Sequence, residues 1–113
     1  MLKKIECIIQ PQKLEKIKRA FRKLGADGIT VSEVRGCGLQ RGYKKKGLSS
    51  RLIRLLPKIK IEIITEEERV EKMVESIRSL AETGKIGAGK IFVLPVEDAL
   101  RIRTKETGRR AIE

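Results

Sequence analysis

The order of hydrophobic periodicities is the feature that most restricts how this chain can fold. Residues 3–9 alternate as a strand, with Ile5, Cys7 and Ile9 on one face. Pro11 suits a helix start, and residues 29–34 are rich in β-branched side chains, as strands are. Between them the apolar residues recur at helical spacing: Leu14, Ile17, Phe21 and Leu24. The first part of the chain therefore predicts a strand, a helix ended by Gly25 and Gly28, and a second strand.

The same pattern returns beyond Pro57. Residues 58–63 alternate strictly, which predicts a strand with one buried face. Thr65 followed by Glu68 predicts a capping box, and Gly84 would close the helix. Its buried stripe would consist of Val70, Met73, Val74, Ile77, Leu80 and Ala81. Residues 91–94 are apolar on both faces, which predicts a central fourth strand.

Two strand–helix–strand units predict an α+β, ferredoxin-like βαββαβ sandwich in one domain, residues 1–113, with both helices on one sheet face. Aromatic residues make up only 3% and Trp is absent, so the core must consist of Ile, Leu and Val. A core of this size is marginal for a lone monomer. The apolar strands favour neighbouring subunits as the cover for the second sheet face.

A glycine- and lysine-rich interruption separates the two units. Residues 36–57 contain four glycines, the Lys44-Lys45-Lys46 run and a serine pair. A loop of about twenty residues inside a compact domain is usually functional, although a disordered excursion is the alternative. The formal net charge is +12, and residues 35–60 hold nine basic residues and no acidic one. This concentration predicts a docking surface for an acidic partner.

Composition argues against an enzyme. With no histidine, the pairs Ser–His and Cys–His are impossible. The carboxylates of Glu66, Glu67, Glu68, Glu71 and Glu75 are best explained as the solvated start and outer face of a helix, and nothing in their spacing suggests a metal site. The only two cysteines, Cys7 and Cys37, predict reduced, largely buried thiols. No apolar run is long enough for a membrane span, so we expect a cytoplasmic protein.

Two segments have the chemistry to bind phosphate. Residues 83–90 contain three glycines within six residues, which allows backbone N–H groups to approach a polyphosphate, and two lysines that supply positive charge. This is not a Walker loop, because no Ser or Thr follows Lys90 and a strand is predicted next. Arg101 and Arg103 would lie on one side of an extended segment, where paired guanidinium groups can grip phosphate. The alternatives are an ordinary helix-to-strand turn and an exposed basic tail.

Four segments in register closely resemble the PII nitrogen-regulatory signalling family: residues 30–42, 56–63, 83–93 and 101–104. The similarity also includes residues 3–14 and so spans nearly the whole chain. The resemblance implies a homotrimer that binds ATP or ADP in three clefts between subunits. The implied nucleotide contacts are Thr30, Gly38, Leu39, Ile64, Gly87, Ala88, Gly89, Lys90, Arg101 and Arg103.

The resemblance further implies an effector and a partner. Family members sense 2-oxoglutarate through magnesium-ATP, and Gln40 and Lys58 match the side chains used for it. Mg²⁺ would be held through ATP and Gln40 rather than by a protein site alone. The long loop, residues 37–56, matches the T-loop, which docks onto ammonium transporters, enzymes or regulators, so a membrane would be met only through a partner. The loop residues expected to contact the partner are Arg41, Tyr43, Lys44, Lys45, Lys46, Arg51 and Arg54.

The sequence also departs from the family pattern. Leu39 stands where a phosphate-contacting Arg is usual, Ala88 replaces an Asp, and the usual modifiable tyrosine is absent, since Tyr43 is near the loop base. Ser49 and Ser50 are best explained as ordinary polar loop residues. These departures keep open a PII-like sensor of another pathway without 2-oxoglutarate. A nucleic-acid-binding module is disfavoured, because no set of sheet aromatics is available for base stacking.

Overall fold

A four-stranded antiparallel sheet organises the chain in the computed structural model, which describes residues 1–37 and 54–113. The strands are β1 (Leu2–Ile9), β2 (Thr30–Gly36), β3 (Leu56–Glu66) and β4 (Gly89–Val96), in the spatial order β2-β3-β1-β4. Helix α1 (Leu14–Ala20) lies between 3₁₀ turns at Pro11–Lys13 and Phe21–Leu24. Helix α2 (Glu67–Ala81) joins β3 to β4, and a short α3 (Arg109–Ile112) ends the chain. This arrangement confirms the ferredoxin-like βαββαβ fold.

The core lies on one face of the sheet, as the alternating strands predict. Ile5, Cys7 and Ile9 of β1 stand opposite Ile63, Ile61 and Ile59 of β3, and all six are buried. Ile17 of α1 and Met73 and Ile77 of α2 complete the same cluster, so both helices cover this face. The prediction of two buried thiols is right for Cys7 and wrong for Cys37, which is exposed because it follows the last residue of β2.

The predicted capping box at Thr65 and Glu68 is wrong. Thr65 is buried in β3, where it pairs with Lys3 of β1, so the strand continues past the expected helix start. Helix α2 begins at Glu67, and its cap residue Glu66 makes no side-chain capping bond. The Glu67 N–H instead donates to the Met1 carbonyl oxygen at 2.9 Å. Pairing with β1 therefore determines where this helix begins.

The prediction that the fourth strand is central is also wrong. Among the strands in residues 1–37 and 54–113, β4 pairs only with β1 and forms an edge of the sheet. Phe92, Val93 and Leu94 remain 48%, 46% and 39% exposed, so the apolar character on both faces of β4 is not explained by burial within one chain. Among the described residues, no helix combines the length and apolar character needed to cross a bilayer.

Candidate functional site

The glycine-rich turn before β4 has a backbone that only glycine adopts readily. Gly84, Gly87 and Gly89 have φ angles of 73°, 93° and 121°. At Gly89 a Cβ atom would lie 1.9 Å from the carbonyl oxygen of Ile8, so this residue must lack a side chain. Thr83 Oγ1 accepts a hydrogen bond from the Lys85 N–H at 3.2 Å near the start of the turn. The backbone of the turn therefore packs directly against the end of β1.

Two side chains from other elements donate to one carbonyl in this turn. Lys58 Nζ, from β3, lies 3.2 Å from the Gly87 carbonyl oxygen. Gln10 Nε2, from the residue after β1, donates to the same oxygen. Sequence reasoning singled out Lys58 and the turn but missed Gln10. Only the register, in which Ile9 stands between Ile59 and Gly89, indicates that the next residue can reach the turn.

Lys58 is an unusual member of this group because it is a buried cation, only 7% exposed. Among residues 1–37 and 54–113, no carboxylate lies within 4 Å of its ammonium group. By contrast Lys60, which is on the same strand as Lys58, pairs with Glu6 of β1 at 3.3 Å. A buried ammonium group held by a carbonyl oxygen, with no counter-ion beside it, is suited to receive an anion.

The arginine segment is a closed turn, so the prediction of an extended segment is wrong. Residues 102–104 form a turn, and the Arg101 N–H donates to the Glu106 carbonyl oxygen at 2.9 Å. The Arg101 guanidinium pairs with the Glu106 carboxylate at 2.8 Å and also donates to the Glu113 carbonyl oxygen. Arg103 is exposed on the turn. The two arginines therefore differ: Arg101 already holds a carboxylate and Arg103 extends from the protein surface.

The remaining described contacts predicted for a nucleotide lie on the sheet face away from the helices. Thr30 stands opposite Glu62, and Ile64 stands opposite Lys4. The hydrogen bond between Lys4 and Glu62 lowers the pKa of the Glu62 carboxyl and raises the pKa of the Lys4 ammonium group. Both groups therefore stay charged near neutral pH, and this face presents paired charges beside the apolar Ile64.

One chain does not bring all the predicted contacts together. The glycine turn precedes β4 and the arginine turn follows it, at opposite ends of an eight-residue strand. A strand of that length separates its ends by roughly 23 Å, at 3.3 Å per residue step. The turn, with Gly87, Ala88, Gly89 and Lys90, lies beside Lys58, whereas Arg101 and Arg103 follow Val96, the last residue of β4, at the far end of the strand.

Several predicted site residues lie outside the described residues. These are Gly38, Leu39 and Gln40 of the ligand set, the loop residues Arg41, Tyr43, Lys44, Lys45, Lys46 and Arg51, and the serines Ser49 and Ser50. Arg54 is described and is exposed just before β3. Within the described ranges, no group of three or more Cys, Asp and Glu side chains is placed to hold a metal ion.

Comparison with known proteins decides the family. The sequence matches the family model described as Nitrogen regulatory protein P-II over residues 2–106. The chain belongs to the P-II family. A P-II protein of Rhizobium meliloti strain 1021 is 46% identical over 112 residues, which cover 98% of this chain and all of that protein. Nitrogen regulatory protein P-II 2 of Methanothermobacter thermautotrophicus is 48% identical over 113 residues, covering 98% of this chain and 97% of that protein.

A solved P-II structure has the same fold. The crystal structure of Arabidopsis thaliana PII bound to citrate superposes with a TM-score of 0.79 at 38% identity, covering 99% of this chain and 90% of that one. Together these matches confirm the resemblance read from the four sequence segments. They place this P-II protein among regulatory signal-transduction proteins.

Proposed function

We propose that this P-II protein is a homotrimeric sensor that binds ATP or ADP between subunits and regulates an acidic partner protein in nitrogen metabolism. The basic segment 37–56 would contact that partner. It would act as a regulator and not as an enzyme. Nucleotide binding would favour one conformation of the protein, and a partner that binds the conformations unequally would report it.

The separation of the two segments predicted to bind phosphate carries this proposal. The glycine turn precedes β4 and the arginine turn follows it, and the two ends of this strand lie roughly 23 Å apart at strand spacing, which is longer than a triphosphate. A single nucleotide can meet both only if a second copy of the chain supplies one of them. The exposed Phe92, Val93 and Leu94 on the edge strand supply an apolar surface for that copy.

The chemistry at each segment suits a nucleotide. Backbone N–H groups of the turn Gly87, Ala88 and Gly89, with Lys90 beside them, would cradle phosphate oxygens. Arg101 and Arg103 would bind the phosphates from the neighbouring subunit. Thr30 and Ile64, on the sheet face away from the helices, would contact the base. Gly38 and Leu39 complete the proposed nucleotide set.

Lys58 gives the proposal its effector site. The ammonium group of the buried Lys58 would bind a carboxylate of 2-oxoglutarate, and Gln40 would help to hold the Mg²⁺ that accompanies ATP. The Arabidopsis relative is bound to citrate, another small polycarboxylate, which supports a family site of this chemistry. These contacts make Lys58 and Gln40 the residues on which 2-oxoglutarate sensing would depend.

A sensor of another pathway, without 2-oxoglutarate, is the second candidate. Leu39 and Ala88 are the residues that favour it, because neither side chain can hold a phosphate or a carboxylate. A nucleic-acid-binding function has less support than either sensor. On the described part of the outer sheet face, Phe92 is the only aromatic residue, and Lys4 and Lys60 are paired with carboxylates.

Isothermal titration of ATP, ADP, AMP and 2-oxoglutarate, with and without Mg²⁺, tests the proposal. We expect saturable ATP or ADP binding with one site per chain, and a trimer in sedimentation. Added 2-oxoglutarate should bind only with Mg²⁺-ATP present. Nucleotide binding without any 2-oxoglutarate response would select the second candidate, and no nucleotide binding would contradict both.

A further inference from the structure

We propose that Gln10 is a positioning residue: it anchors the Gly87 carbonyl, so the glycine turn keeps its shape when the Lys58 ammonium group turns to an anionic ligand. This inference rests on the proposed function and assigns to Gln10 a role in the same site. It begins from one geometric fact: Lys58 of β3 and Gln10, the residue after β1, donate to a single acceptor.

The position of Gln10 follows from the sheet register. Ile9, the last residue of β1, stands between Ile59 of β3 and Gly89 of β4. The next residue, Gln10, therefore follows β1 at a point between the backbone of Lys58 and the end of the glycine turn. Its partly buried side-chain amide donates to the Gly87 carbonyl oxygen. Lys58 Nζ donates to the same oxygen, at 3.2 Å.

The two donors are not equivalent. The Gln10 amide is neutral, and a neutral carbonyl is an ordinary partner for it. The Lys58 ammonium group is charged, its residue is only 7% exposed, and within the described residues no carboxylate lies within 4 Å of it. A charged donor gains more from an anion than from a carbonyl, so an arriving carboxylate or phosphate favours release of Gly87 by Lys58. The Gln10 amide gains nothing comparable and stays.

The turn needs an anchor at this carbonyl because its backbone is intrinsically loose. Gly87 and Gly89 have φ angles of 93° and 121°, in a region where glycine has many accessible conformations. Losing Lys58 without a second donor would leave the Gly87 carbonyl without either of its described hydrogen bonds. The N–H groups that cradle phosphate would then be less well ordered, so the anion and the nucleotide would weaken each other. With Gln10 in place, both can bind.

Two substitutions distinguish the effect of the Gln10 hydrogen-bond donor from the effect of its side-chain packing. Gln10→Glu keeps the shape of the side chain but, when ionised, only accepts hydrogen bonds, and its carboxylate would hold Lys58 in place of the ligand. Gln10→Lys changes the shape but retains a donor for the Gly87 carbonyl. If the donor matters, the lysine variant resembles the wild type and the isosteric glutamate variant does not. Packing alone predicts the reverse order.

The first measurement uses the ligand-free full-length protein and nuclear magnetic resonance. The Gly87 carbonyl and the Ala88 N–H belong to one peptide group, so the Ala88 amide resonance reports on the anchor directly. We expect Gln10→Glu to shift this resonance and to lower the heteronuclear NOE of residues 87–90, and Gln10→Lys to restore both. An unchanged resonance in Gln10→Glu, or equal losses in both variants, would overturn the proposal.

The second measurement is calorimetric titration of 2-oxoglutarate into the protein with Mg²⁺-ATP. We expect Gln10→Glu to weaken effector binding about tenfold or more, because a charge-assisted bond to Lys58 is diverted. Gln10→Lys should stay within about twofold, which is less than one ordinary hydrogen bond. Equal affinities in wild type and Gln10→Glu would overturn the role of Gln10 toward the ligand. If the wild type binds no nucleotide, the proposed function fails, and the resonance comparison still decides whether Gln10 anchors the turn.

Discussion

The Lys58 ammonium group lies 3.2 Å from the carbonyl oxygen of Gly87, although the two residues belong to β3 and to the turn before β4. The contact joins a buried cation to the backbone of the proposed phosphate cradle. Any ligand that draws Lys58 away also changes what holds the turn. This link gives a physical path by which effector and nucleotide can influence each other.

Removing the Lys58 charge tests that path. Lys58→Met keeps most of the side-chain volume and should weaken 2-oxoglutarate binding about tenfold or more, because a charge-assisted hydrogen bond is lost. Binding of ATP alone should change far less. Calorimetry with and without Mg²⁺-ATP measures both. Lys60→Met is the matched control, since Lys60 is on the same strand but is paired with Glu6; equal effects of the two variants would contradict the assignment.

Gly89 should be indispensable for the stability of the fold. In Gly89→Ala the new Cβ would meet the Ile8 carbonyl oxygen at 1.9 Å, and the φ of 121° is strained for any side chain. We expect a loss of about 3 kcal/mol or more in the free energy of unfolding, measured by urea denaturation at fixed protein concentration. Gly28→Ala is the control, because no atom of the described residues lies within 4 Å of a Cβ there. Similar stabilities of the two variants would refute this description of the turn.

The ion pair between Arg101 and Glu106 should compete with bound phosphate. The pair is 2.8 Å long and its side chains are about one-third exposed (31% and 37%). Its net contribution to the free energy of folding is therefore small. Glu106→Gln removes the carboxylate charge that competes with phosphate for the Arg101 guanidinium, and it should tighten ATP binding about twofold to fivefold. Glu75→Gln removes a similar exposed pair, with Arg78 on α2, and should leave ATP affinity unchanged. Weaker ATP binding by Glu106→Gln would show that Glu106 supports the site.

The two cysteines should differ sharply in reactivity. Burial raises the pKa of the Cys7 thiol to about 12, with a smaller contribution from Glu6, whereas Cys37 is exposed. A disulfide reagent at pH 8 should therefore modify one thiol per native chain and two per denatured chain. Rapid modification of both native thiols would contradict the burial of Cys7.

The same thiol should make stability depend on alkaline pH. Between about pH 9 and pH 12 the unfolded chain releases the Cys7 proton while the folded chain retains it. The folded state then binds more protons, so its stability falls as the pH rises through this interval. In Cys7→Ala this part of the alkaline loss should disappear, which urea denaturation across the interval can measure.

Periodicity predicts the fold well because each strand and helix buries one face. The buried residues Ile5, Cys7, Ile9, Ile17, Met73 and Ile77 were all expected from their spacing. The order of the strands is harder to predict, because an apolar face does not indicate which element or subunit covers it. β4 has the composition of a central strand yet forms an edge. Thr65 shows the same limit, because long-range pairing with Lys3 overrides a local capping signal.

The candidate site is less predictable than the fold. Gln10 carries no motif, and its contact with Gly87 depends on the register of three strands. The partner of Arg101 depends on a chain reversal at residues 102–104 that its spacing from Arg103 does not indicate. Both contacts arise from tertiary geometry, which the pattern of side chains along the chain does not record.

ATP titration into the wild type and Arg103→Ala tests the central claim most directly. The exposed Arg103 is expected to bind phosphate from a neighbouring subunit, and its loss should weaken ATP binding about tenfold or more. Arg19→Ala, an equal change of charge at an exposed position of α1, should not alter the affinity. Saturable ATP binding that only Arg103→Ala weakens is the predicted result. Unchanged affinity in Arg103→Ala, or no ATP binding by the wild type, would contradict the account.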